Sequence, residues 1–235
     1  MPIRPLLRRT LFVLAGTALL SGIASANERP ADWAQPVDKS FNLYRLSPTL
    51  YRSALPDSDD LPLLHTLGMR TVVSLIKDDD RQWADGAALT TVSFPTHADR
   101  VDDADVIHVL NMLQSAQLQG PVLLHCKHGR DRTGLFIAMY RSVIQGWSKD
   151  EALREMVDGG FGNRDDMADA ISYVRDADVD AIRQAMREGR CSTSLLSFCQ
   201  LRELAGELAQ YLFVPAQEDT LLAEDELQKV EGSRG

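Results

Sequence analysis

Residues 122–134, VLLHCKHGRDRTG, decide the fold. Val122 to His125 is a short apolar run that follows the breaker pair Gly120-Pro121 and reads as a buried strand. Thr133 to Gly146 is apolar on nearly every side through Tyr140, the pattern of a central helix without a solvent face. A strand that turns directly into a helix aims several backbone N–H groups at one point, and the helix N-terminus adds about half a positive charge there. Such a turn suits a phosphate. Cys126 stands at its floor, where the same donors favour a thiolate. Five residues separate it from Arg132, whose planar guanidinium can give two hydrogen bonds to one anion. Gly129 supplies the backbone freedom of a tight loop, and Thr133 is placed to donate to the sulfur. Lys127, His128, Gly129, Arg130, Asp131 and Thr133 are therefore the candidate substrate-binding residues, with Cys126 and Arg132 as candidate catalytic groups. A lone cysteine is ordinarily an apolar filler, and two histidines so close could be read as a metal pair. Zinc needs about four ligands, however, and the other cysteines lie far along the chain. No metal and no cofactor is expected.

Outward from this turn, Leu43 to Arg52 alternates around Ser47-Pro48 as a hairpin does. Leu61 to Leu67 reads as a short helix closed by Gly68, and Thr71 to Ile76 as a β-branched buried strand. Thr90 to Phe94 is a further strand. Asp103 to Gln119 shows helical spacing at Val106, Val109, Leu110 and Leu113. Glu151–Val157, Met167–Arg175, Val179–Arg187 and Ser194–Phe213 read as helices, the last with a stripe from Leu195 to Leu212 that suits core packing. Residues 27–41 read as an extended lead-in without periodicity, and residues 216–235 as a frayed acidic tail. Strands alternating with helices, then helices alone, predict one α/β domain over residues 27–235: a small, largely parallel sheet flanked by helices, with extra helices at the C-terminal end.

The first 26 residues carry Arg4, Arg8 and Arg9, an apolar run from Leu11 to Leu20, and the small-residue pattern Ala24-Ser25-Ala26. This is the layout of a secretory signal peptide cut after Ala26. The run is shorter than the roughly 20 residues that span a bilayer, so no stable membrane insertion is expected after cleavage. Removing the leader takes three arginines and no acid, which moves the net charge from −9 to −12. That balance disfavours general nucleic-acid binding, and an anionic substrate must be drawn by a local positive site. Export would place Cys126, Cys191 and Cys199 in an oxidising compartment. The economical arrangement pairs Cys191 with Cys199 and leaves Cys126 free.

The loop resembles the active-site signature of the protein tyrosine and dual-specificity phosphatase family, His-Cys, five residues, Arg-Ser/Thr, met here by His125, Cys126, Arg132 and Thr133. The stretches YRLSPTLYRSALP, VVSLIKDDDR, PTHADRVDDADV and GGFGNRDDM are similar to the periplasmic, biofilm-associated tyrosine phosphatases, and the likeness covers most of residues 27–235. It implies a periplasmic enzyme working through a phosphocysteine on a phosphorylated protein, with a membrane-anchored diguanylate cyclase as one such partner. It also implies an aspartic acid upstream of the cysteine that protonates the leaving oxygen. Asp99, Asp102, Asp103 and Asp105 are the candidates. Asp99 is preferred, because the chain from Val101 onward begins to look helical and capping suits Asp102 or Asp103 better.

Lys127 and the Arg130-Asp131 pair make the loop more basic than a phosphotyrosine site needs, so a phosphoinositide or inositol-phosphate phosphatase is the second reading. A non-catalytic phosphate-binding module and a rhodanese-like sulfur transferase fit less well, since neither requires Arg132 with an upstream acid. Asp78-Asp79-Asp80 is read as a solvated loop, and Asp165-Asp166 as a helix cap.

Overall fold

A computed structural model of the chain describes residues 29–194, 196–202 and 205. The proposed leader, the tail at 216–235 and most of the helix read at Ser194–Phe213 lie outside the described residues; within that last stretch, residues 198–202 are helical. The chain divides into a leading unit, Met1–Pro30, and a second unit, Ala31–Gly235, that holds every element described below.

Six strands form one sheet: β1 (Gln35–Asp38), β2 (Leu43–Ser47), β3 (Leu50–Ser53), β4 (Thr71–Ser74), β5 (Thr90–Ser93) and β6 (Val122–His125). Their order is β1-β2-β3-β6-β4-β5. β3, β6, β4 and β5 are parallel neighbours, whereas β1, β2 and β3 pair antiparallel. The largely parallel sheet expected from the sequence is thus a parallel core with an antiparallel hairpin on one side. Every residue of β3, β4 and β6 is buried, as strands covered on both faces must be. Successive side chains point to opposite faces. Leu50, Val73 and Leu124 accordingly join one apolar cluster, while Tyr51, Val72 and Leu123 join another.

The larger cluster holds the helices α3 (Asp103–Gln117), α4 (Asp131–Val143), α5 (Lys149–Asp158), α6 (Ala168–Asp176) and α7 (Val179–Arg187). α4 is its centre, with every residue from Thr133 to Val143 buried. The smaller cluster packs under α1 (Leu61–Thr66) and α2 (Arg81–Ala84). α3 opens on a reciprocal cap between Asp102 and Asp105, and α5 on one between Ser148 and Glu151. Arg141 of α4 grips Glu155 of α5 at 2.6 and 2.7 Å, both side chains being buried, and Glu155 also accepts from the Ala34 amide. No helix among the described residues is long and apolar enough to cross a membrane.

β1, α2 and α4 depart from the sequence reading, which assigns no element to Arg81–Ala84. β1 falls in the stretch read as an extended lead-in without periodicity; it is a four-residue edge strand containing Pro36, with two exposed and two half-buried residues, so it shows no alternation. α4 starts at Asp131 rather than Thr133. Its first two residues, Asp131 and Arg132, are half-buried where the helix leaves the loop at Cys126–Arg130. Cys191 and Cys199 are bridged, with Cα atoms 6.1 Å apart, and Cys126 is the free thiol.

Candidate active site

Parallel pairing aligns Ser53, Ser74 and His125 across β3, β4 and β6. All three strands end at one height, and the loops that follow them meet there. The loop from Cys126 to Arg130 connects β6 to α4. Its carbonyls are tied to groups around it. His125 O accepts from Leu75 N at 3.0 Å and Lys127 O from Leu55 N at 3.4 Å. His128 O accepts from Asn42 Nδ2 at 3.0 Å and Gly129 O from Arg52 Nη2 at 2.6 Å. Among the described residues no acceptor takes the N–H groups of residues 127–130. Gly129 is required as well as permitted: its φ is +71°, and a Cβ there would lie 2.5 Å from backbone atoms of Ser53 and Ala54.

Cys126 is 2% exposed and is itself a member of the large apolar cluster, at the floor of the loop. Thr133, expected to donate to the sulfur, is fully buried, and its hydroxyl has no hydrogen-bond partner among the described residues. Arg132, in the first turn of α4, donates from Nη1 to Leu75 O at 3.1 Å and Thr96 O at 3.2 Å. It therefore holds the loop after β4 and the loop after β5 beside the cradle. Arg130 pairs with Asp166 at 3.1 Å, so the acid read as a helix cap reaches the loop after β6. Asp131 is half-buried; burial pushes its carboxyl up, Arg132 and Arg130 pull it down, and Asp169 and Asp99 push it up again.

The four candidate acids separate by geometry. Asp102 and Asp105 cap α3. Asp103 accepts from Tyr173 Oη at 2.8 Å and from Thr193 Oγ1 at 2.7 Å, tying the segment after α7 to α3. Asp99 lies on the turn Ala98–Arg100, exposed, with a 3.7 Å contact to Arg100. It lines a cavity of about 540 Å³ with Asp103, Asp169 and Tyr173. Arg132 lines a neighbouring one of about 240 Å³ with Lys77, Thr96, His97 and Lys127. Lys127 and Arg132 thus share one cavity, Cys126 lies buried at the start of their loop, and Asp99 lines a different cavity.

His128 is exposed on the rim. Burial holds its imidazole below the ordinary value, and the charges of Arg130, Lys127 and Arg132 press it the same way, with Asp166 opposing. A bound phosphate dianion adds negative charge beside it and favours the imidazolium. The His128 pKa should therefore rise when phosphate is added, as read by an NMR titration of the ring with and without the anion. An unmoved His128 would place the anion elsewhere.

Sequence reasoning missed three supports of this site. Asp80, read as part of a solvated acidic loop, is 4% exposed; one carboxylate oxygen is 3.0 Å from His125 Nε2 and the other accepts from Trp83 Nε1 at 3.1 Å. Asp79 beside it does what was expected and pairs with Arg81 at the surface. Asn42 fell between the lead-in and the hairpin, and Arg52 was an unremarkable last residue of that hairpin. Only the alternation break at Arg52, a cation inside an otherwise buried strand, signals a role.

A model of the tyrosine phosphatase family matches residues 39–188. The dual specificity protein phosphatase TpbA of Pseudomonas aeruginosa (strain UCBPP-PA14) is 58% identical over 201 residues, which cover 84% of this chain and 92% of that protein. A crystal structure of a cysteine-to-serine variant of P. aeruginosa TpbA in complex with phosphotyrosine superposes with a TM-score of 0.68 and 61% identity, covering 69% of this chain and all of the other. The core catalytic domain of a PP-IP phosphatase from S. cerevisiae, 20% identical, shares the fold with a TM-score of 0.55 over 66% of this chain and 95% of its own.

Proposed function

Because the chain belongs to the tyrosine phosphatase family, we propose that it is a periplasmic dual-specificity protein phosphatase that hydrolyses phosphotyrosine and related phosphomonoesters through a phosphocysteine on Cys126. The observation that carries this reading is the turn itself: Cys126 and Arg132 stand at the two ends of a strand-loop-helix connection whose carbonyls are held by donors outside it. The exported setting is supported by the leader at residues 1–26 and by the Cys191–Cys199 bridge, a bond favoured in oxidising compartments. A phosphorylated protein is the partner, and a membrane-anchored diguanylate cyclase is the one the resemblance implies.

The chemistry runs in two displacements. The Cys126 thiolate attacks phosphorus in line with the ester oxygen, forming the S–P bond as the P–O bond breaks. The loop N–H groups and Arg132 hold the equatorial oxygens, fixed donors that need no reorganisation as charge develops. Arg132 keeps its planar fork aimed from α4 and gives up carbonyl contacts to engage the anion. Asp99 delivers its proton to the departing oxygen. A water then attacks the phosphocysteine, Asp99 takes the proton, and phosphate leaves with the thiolate restored.

Asp99→Asn should lower kcat on a phosphotyrosine peptide by about 10²-fold, the usual worth of a positioned proton donor. The loss should be smaller on para-nitrophenyl phosphate, whose leaving group departs without help. Asp103→Asn should instead lower the melting temperature, since both Asp103 oxygens bind side chains from other elements. A greater kinetic loss in Asp102→Asn or Asp103→Asn would overturn the assignment of Asp99.

One observation favours a second substrate class. Lys77, His97 and Lys127 line the cavity beside Arg132, where a second phosphate could be held. Turnover of inositol phosphates faster than of a phosphotyrosine peptide, measured side by side, would replace the first reading with this one.

A further inference from the structure

The catalytic loop does not orient its own amides; groups outside it do. A trans peptide is planar, so its C=O and the N–H of the next residue point in opposite directions, and the chain contains no cis peptide among its described residues. Holding the carbonyls of Lys127, His128 and Gly129 outward therefore turns the N–H groups of His128, Gly129 and Arg130 to the other side, toward the concavity. One of the three holding donors is a main-chain amide, Leu55 N. The other two are side chains of the N-terminal hairpin. Asn42, in the turn before β2, donates to His128 O at 3.0 Å and to Phe161 O at 2.9 Å. Arg52, fully buried in β3, donates to Gly129 O at 2.6 Å, with its guanidinium 3.6 Å from the centre of the Phe161 ring.

We propose that Asn42 and Arg52 are positioning residues for phosphoryl transfer, setting the amide donors of the loop by gripping its carbonyls from behind. The proposal rests on the phosphatase reading above. Arg52 adds a second effect: a buried charge on the Gly129 carbonyl polarises that peptide and strengthens the N–H of Arg130 as a donor. Phe161, on the loop between α5 and α6, receives Asn42 and carries Arg52, so both positioning residues share one support.

Asn42 permits a clean test. Its φ is +59°, a conformation glycine adopts freely, so Asn42→Gly removes the two side-chain bonds and leaves the backbone undisturbed. kcat and KM on para-nitrophenyl phosphate, the inhibition constant of vanadate, and the melting temperature should be measured for Asn42→Gly, Arg52→Lys and Arg52→Met. We expect Asn42→Gly to lower kcat and weaken vanadate about tenfold each, a modest share of what misplacing reacting groups by an ångström can cost, with KM and melting temperature little changed. Arg52→Lys should recover part of what Arg52→Met loses. If Arg52→Met does not fold, Asn42→Gly and Arg52→Lys decide the matter. Folded variants with wild-type kcat and wild-type vanadate inhibition would overturn the proposal, as would losses that only follow the melting temperature. If the wild-type protein shows no phosphatase activity, the phosphatase reading fails instead. Phosphate-induced amide shifts at residues 128–130, compared between wild type and Asn42→Gly, then test the positioning without turnover.

Discussion

Cys126→Ser is expected to abolish phosphate release, on the order of 10⁴-fold or more, the scale on which loss of a covalent nucleophile is felt. Serine is nearly isosteric with cysteine, and its alkoxide does not form near neutral pH when the one acid assigned to proton transfer, Asp99, must hold its proton for the leaving oxygen in the first displacement. The competing account of a residue 2% exposed beside the apolar core is that it merely fills space. The two accounts differ sharply. A filler changed to serine would cost stability by burying a hydroxyl and would spare activity. A nucleophile changed to serine loses activity and keeps the cradle, so the variant should still retain phosphotyrosine peptide on a column. Stopped phosphate assays, a thermal melt and that retention measurement decide between them. Turnover within tenfold of wild type would remove Cys126 from the mechanism.

Arg132→Lys should cost about 10³-fold in kcat, although the charge is kept. An ammonium is a point charge and cannot donate two parallel bonds to the equatorial oxygens. The structure adds a second expectation. Arg132 spans the carbonyls of Leu75 and Thr96, and so holds the two loops that border the cradle, the second leading to Asp99. Arg132→Lys should accelerate amide hydrogen exchange across residues 76–80 and 95–100 while leaving the strands beneath protected. A variant that lost activity without altered exchange would limit Arg132 to its contact with phosphate. One that retained activity within tenfold would take it out of the catalytic machinery.

The turn from Val122 to Gly134 was legible because each of its parts has a local signature: an apolar run after Gly-Pro, a cysteine and an arginine at fixed spacing, and an apolar helix. The hairpin at Leu43–Arg52 and the strands β4 and β5 were legible for the same reason. What stayed hidden depends on partners far along the chain. Asp80 looks like its neighbours Asp78 and Asp79, and only the approach of His125, 45 residues later, makes it a buried partner. Asn42 and Arg52 gain their roles from carbonyls 86 and 77 residues away. Helix-capping logic set Asp102 or Asp103 apart from Asp99; the box at α3 joins Asp102 to Asp105, so that logic held for Asp102 and missed Asp103. The engagement of Asp103 by Tyr173 and Thr193 had no local trace. Periodicity reports which face a residue presents and is silent about what waits opposite it.

Ser53, Ser74 and His125 share one level across the sheet, and this separates two tasks that many enzymes entangle. Below that line the side chains are sealed and their replacement is paid for in folding. Above it, Lys77, His97 and Asp166 belong to separate connections that carry little of the core's burden. A lineage could exchange those connections one at a time, trying new phosphate esters while the proposed nucleophile and its grip stayed fixed. Variation among descendants of this scaffold should then gather on the crown and thin out toward the base, a gradient that a library randomised at each height would reveal as a sharp change in the fraction of active clones.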